Sequence, residues 1–177
     1  MSERPRLAPG IALPAYAFVP RRLPHPFADP LGHRFGHDLP EAQVPDPERW
    51  AESLHYLVGI DLFNHGYYWE AHEAWESLWH VCGRRGVMAT FVKALIQWAV
   101  AGVKAREQCA EGVAKHARRA KELFEETACA LHGDHWMGLS LRELIANAEL
   151  VLAVPPTSRA PGVTVEIVFP FVLSPVY

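Results

Sequence analysis

Residues 62–80 read LFNHGYYWEAHEAWESLWH, and the fold turns on how this stretch is placed. On a helix starting near Tyr67, with about 100° of turn per residue, it separates into two stripes. Ala71, Ala74, Trp75, Leu78 and Trp79 fall on one arc, suited to a core. His72, Glu73, Glu76 and His80 fall on the adjoining arc, with Glu70 one turn before Glu73. Carboxylates and imidazoles recur at i, i+3 and i+4, the spacings at which helical side chains meet. A helix does not need that chemistry in order to fold.

Working outward, Asn64-His65-Gly66 is a short break ahead of this helix. Gly supplies a positive φ and Asn tolerates a turn, so the preceding helix is a close, antiparallel neighbour. That helix opens at Asp46-Pro47-Glu48, an N-cap followed by proline at the first helical position. It runs through Trp50, Leu54, Leu57, Val58, Asp61 and Leu62 to Gly66. Gly83 closes the motif helix near Cys82. A third helix, about 87–108, is apolar nearly all round and reads as the central, most buried one. A fourth spans about 112–131 and ends at Gly133. The fifth starts at the capping box Ser140-Leu141-Arg142-Glu143 and stops before Pro155-Pro156.

Many of the chain's 15 prolines crowd into residues 1–46, where no helix can run through them. Ile11, Leu13, Tyr16, Phe18, Val19, Leu23, Phe27 and Phe35 are interspersed there, and exposing them all is costly. Residues 1–46 therefore read as an extended arm laid over the helical body. His25, His33 and His37 sit in it, and loop histidines are more often solvated than ligating. The alternating, β-branched run 163–169 reads as a strand or an extended wrap. The expected architecture is all-α: a single bundle of about five helices over 47–153, the arm before it, and an extended tail over 154–177.

Half the residues of this 177-residue chain are hydrophobic and 21% are charged, which marks one globular domain. A net charge of −3 gives no general attraction to nucleic acid or to an anionic membrane. Cys82, Cys109 and Cys129 show no CxxC spacing and read as reduced thiols in a cytoplasmic protein. The start lacks a signal-peptide hydrophobic run. The apolar run 87–103 contains Lys93 and Gln97 and is short for a bilayer, so it reads as a core helix rather than a membrane span.

Phe63, Asn64, Gly66, Tyr67, Glu70, Ala71, His72, Glu73, Glu76 and Trp79 together resemble the signature of the domain of unknown function 309 family (DUF309). Leu95-Ile96-Gln97 resembles that family's second, weaker block. The resemblance covers about residues 47–153. It implies a small all-α bundle and no known activity.

The site expected from these residues centres on the motif helix. His72-Glu73-Ala74-Trp75-Glu76 is H-E-x-x-E, one ligand away from the H-E-x-x-H of zinc metalloproteases. His72, Glu76 and His80 are candidate ligands for a divalent metal such as zinc. Glu73 and His72 are candidate catalytic groups. Asn64, Tyr68, Glu70, Glu76, Lys93 and Gln97 are candidates for binding a small ligand. A third metal ligand would come from His55, His116, His132 or His135. No second Glu-x-x-His helix is present, which argues against a di-iron bundle. A buried Lys93 needs a partner, and the motif carboxylates are the expected ones, in a shared cavity beside Lys93 and Gln97. Five readings follow: a metal or small-ligand module, a metal-dependent hydrolase with Glu73 as base, a metal-free acid–base pair, a scaffold, and a partner-binding face. In the scaffold, Glu70, Glu73 and Glu76 pair with Lys93, Arg84 and Arg85 to hold helix register. Homo-oligomerisation stays open.

Overall fold

The computed structural model describes residues 4–36 and 40–176; His37 lies outside them. The chain forms a short 3-10 helix, Pro47–Glu52, and five α-helices: α1 (Leu54–Asn64), α2 (Tyr68–Val81), α3 (Gly86–Arg106), α4 (Ala110–Leu131) and α5 (Leu141–Ala153). Successive helices pack on one another, α1 on α2, α2 on α3, α3 on α4 and α4 on α5. The fold is all-α, as the sequence predicts.

The α1–α2 connection folds α2 back along α1, so that Trp75 Nε1 reaches the Tyr56 carbonyl at 3.4 Å. Phe91, Val92, Leu95 and Trp98 on α3 are fully buried and form the middle of the core. By length and composition α3 is the one described helix that could cross a membrane; here its apolar side chains are enclosed by α2 and α4. The caps act as expected. Asp46 Oδ1 accepts from Glu48 N at 3.0 Å, and Ser140 Oγ accepts from Glu143 N at 3.3 Å. The fourth helix ends at Leu131, two residues before Gly133, with its C-cap His132 in the left-handed conformation (φ 50°).

The first helix departs from its expected form. Residues 47–66 are not one helix: Ser53 is extended (φ −82°, ψ 95°) and separates the 3-10 helix from α1. The break lets Trp50 turn under a small hairpin, β1 (His135–Trp136) and β2 (Leu139–Ser140). Gly138 at its tip has φ +77°, and a Cβ there would come within 2.7 Å of the Trp50 ring. Neither the break nor the hairpin has a local sequence signal, because both depend on this long-range contact.

The arm lies across the body and is held by polar anchors as well as apolar ones. Asp61, 1% exposed, accepts from Arg6 Nε, Leu7 N and Ala8 N at 2.8–2.9 Å. The Arg4 guanidinium donates to the carbonyls of Asn64, Phe169 and Phe171, tying arm, turn and tail together. The tail is an extended wrap rather than a strand. Among the described residues its one backbone hydrogen bond to the arm is Ala17 N to Thr164 O, at 3.0 Å. Its alternation does not sort the side chains by burial: Val163 and Ile167 are exposed, and Phe169 is the buried anchor. Phe169 stacks between Trp98 (5.4 Å) and Phe63 (5.5 Å). The tail backbone passes so close over Gly66 (φ +88°) that a Cβ there would lie 2.7 Å from the Glu166 carbonyl oxygen.

Candidate functional site

The motif splits into an inner and an outer edge of α2. Tyr68 and Glu70 form the inner edge, continued by Asn64 at the end of α1, and all three are buried. Asn64 faces the tail backbone as a strand would: Oδ1 accepts from Leu173 N at 2.8 Å and Nδ2 donates to Leu173 O at 2.9 Å. Tyr68 Oη accepts from Val168 N at 3.0 Å and Phe169 N at 3.4 Å. Burial pushes the Tyr68 phenol up to about 12, in spite of those two hydrogen bonds. Glu70 Oε1 accepts from Phe18 N at 2.9 Å and lies 2.9 Å from His33 Nε2. These three expected ligand-binding residues therefore hold the chain's own arm and tail.

His72, Glu73, Glu76 and His80 form the outer edge, with side chains 21%, 30%, 36% and 48% exposed. His72 Nδ1 lies 3.2 Å from Glu73 Oε1, and His72 Nε2 lies 3.5 Å from Glu76 Oε2. The first pair is within charge-pairing distance but is not aligned as a hydrogen bond, so His72 Nδ1 is shielded from solvent and lacks a donor or acceptor. One donor atom from each of His72, Glu73 and Glu76 lies within 4.8 Å of the others. Ligands sharing a tetrahedral zinc at about 2.0–2.1 Å stand about 3.3 Å apart. Small rotamer shifts would close that gap.

Other expected members of the site make different contacts. His80 Nδ1 accepts from the Arg84 guanidinium at 2.8 Å. That bond leaves the proton on Nε2, which lies 4.0 Å from Glu76; with one nitrogen accepting and the other protonated, His80 has no lone pair to give a metal. Lys93 does not pair with the motif carboxylates. Its ammonium lies over the Trp79 ring, 4.1 Å from the centroid, and this cation–π contact replaces the expected ion pair. Gln97 Oε1 meets His116 Nδ1 of α4 at 2.8 Å. Arg84 lies over the same Trp79 ring, 5.2 Å from its centroid, and neither Arg84 nor Arg85 forms an ion pair with a described carboxylate. The expected shared cavity beside Lys93 and Gln97 is thus replaced by two separate environments. Among the described residues, none of His55, His116, His132 and His135 joins the His72 cluster.

Two polar residues matter more than their sequence context suggested. Asp61 reads as part of the apolar stripe of the first helix, and its signal was that an acid occupied a core position. His33 reads as a solvated loop histidine, yet its side chain is 7% exposed against Glu70. No local pattern marks it.

Residues 56–116 match the DUF309 family model. The description of that family is a domain of unknown function. The match bears out the resemblance carried by the motif, over a shorter span than 47–153. The DUF309 segment contains all but the first two residues of α1, then α2, α3 and the start of α4, and so both edges of the motif helix. The partners of the inner edge, Phe18, His33, Val168, Phe169 and Leu173, all lie outside the DUF309 segment. No curated protein matches the chain.

Proposed function

We propose that this protein is a helical module that binds a divalent metal ion on the outer edge of α2, through His72, Glu73 and Glu76. One observation carries the reading. Three metal-competent donors meet within 4.8 Å on adjacent turns, and no lysine or arginine among the described residues forms an ion pair with either carboxylate. Ungrouped surface acids are usually neutralised or splayed apart. One imidazole and two carboxylates suit zinc and other divalent first-row metals. Three protein ligands leave coordination positions for water or a small ligand, the arrangement of a reactive rather than a structural metal site. With Glu73 assigned as a ligand, the hydrolase reading has no separate base, so the assignment stops at metal and small-ligand binding. Asn64, Tyr68 and Glu70 serve the scaffold role, which their contacts with arm and tail favour. A cytoplasmic setting fits the three free cysteines.

Zinc titration followed by thermal unfolding tests the reading. At a metal concentration a hundred times Kd, binding stabilises the native state by about 2.7 kcal/mol. The wild-type melting temperature should rise by several degrees, and H72A and E76Q should abolish the rise. A wild-type melting temperature that zinc leaves unchanged would overturn the assignment.

A further inference from the structure

We propose that the arm completes this site with Arg34, and that the ligand admitted beside the metal carries an oxyanion group, a phosphate or a carboxylate. The proposal rests on the metal reading above and adds the substrate class. Residues 25–35 form a compact loop closed on itself, with Asp29 N to His25 O at 3.1 Å, Arg34 N to Pro26 O at 3.0 Å and Gly32 N to Asp29 O at 2.8 Å. Two contacts fix this loop against the start of α2. His33 meets Glu70, and the rings of Phe18, His25 and Phe27 gather around Trp69 at 5.0, 5.4 and 5.9 Å. Trp69 in turn borders His72, with ring centroids 6.4 Å apart. Arg34 follows His33 directly and so hangs over the end of α2 that carries Glu70 and, one turn on, Glu73.

Arg34 is half-buried, yet its guanidinium makes no hydrogen bond or ion pair with any described residue. Burial pulls it below its usual value, while Glu70 and Glu73, near but not in contact, pull it up. A guanidinium removed from water without a contacting partner is costly. Polar groups beside it are unmet as well. His33 Nδ1 belongs to a side chain only 7% exposed and has no hydrogen-bond partner among the described residues; Glu70 Oε2 is unmet too, but as an acceptor it calls for a donor and not for an anion. The planar fork of arginine fits a carboxylate or phosphate through two parallel bonds.

The test uses the full chain, with manganese(II) and inorganic phosphate as probes in calorimetric titrations. Manganese(II) alone is titrated first, then phosphate into the loaded protein, for wild type, R34Q and R34K. R34Q should keep its manganese affinity within about twofold and bind phosphate at least about tenfold more weakly, the loss expected for a charged hydrogen bond. R34K should recover part of it. Acetate in place of phosphate separates the two oxyanion classes. Phosphate and acetate affinities unchanged in R34Q overturn the proposal and leave the metal reading standing, as does R34Q whose only effect is a lower melting temperature. Failure of wild type to bind manganese strikes the metal reading by itself. Arg34-dependent phosphate binding in that case keeps the anion site, and no phosphate binding discards it too.

Discussion

The two edges of α2 are made of the same kinds of residue and do different work. On the inner edge, Tyr68 and Glu70 are covered by the tail and the arm, and their polar atoms accept backbone N–H groups of those segments. On the outer edge, His72, Glu73 and Glu76 pair with one another and with His80 of the same helix, and with no charged group of the arm or tail among the described residues. The contrast teaches that residue type and helical spacing do not decide between cement and site. What decides is whether another part of the chain comes to lie over the side chain.

Four experiments can break or sharpen that contrast. Removing what the inner edge holds should have the largest effect. Phe169→Ala empties the space between Trp98 and Phe63, and should cost about 3–5 kcal/mol by urea unfolding. A loss below about 1 kcal/mol would show that the tail is not docked in solution. Glu70→Ala comes next, at about 2–3 kcal/mol, since Phe18 N–H is left buried without an acceptor. Protease cleavage within residues 4–36 should speed up in that variant, because the arm loses its anchor.

A smaller effect concerns pH. Burial pushes the His55 imidazole below its usual value, the Pro40 carbonyl opposes this, and Arg34 adds to it. Folded His55 therefore holds its proton less tightly than unfolded His55. The unfolded state binds more protons below about pH 6.5. Stability contributed by neutral His55 is complete above that pH and is lost as pH falls through the lowered folded value. His55→Gln should flatten the stability profile over that range, and a profile of unchanged slope would refute the assignment. The smallest effect is expected on the outer edge. Glu73→Gln and Glu76→Gln should each change metal-free stability by no more than about 0.5 kcal/mol, with a gain where carboxylate repulsion is relieved. A large loss in either would move that residue into the structural class.

Much of the bundle is legible in the sequence because its punctuation is local. Asp46-Pro47, Gly66, Gly83 and Ser140 each act within a few residues, through caps and positive φ. The split of the motif is not legible, because Glu70 and Glu73 stand at equivalent spacing until Phe18 and His33 arrive from more than thirty residues away. Lys93 and Gln97 misled for a related reason. A lysine on a buried helix needs a partner, and a carboxylate is the obvious one, but the face of Trp79 was one turn nearer. His80 was taken out of the cluster by Arg84, four residues along. Helical spacing does not predict that last pairing, since Arg84 lies beyond the end of α2 in the left-handed conformation (φ 61°).

The turn that joins α1 to α2 has a consequence for synthesis. Neighbouring helices can find each other while the chain is still emerging from the ribosome, since their contacts are short in sequence. The Asn64 amide must wait for Leu173, 109 residues later. Until Leu173 emerges, a nascent chain carries an unsealed polar gap at the turn of its oldest hairpin, open to chaperones.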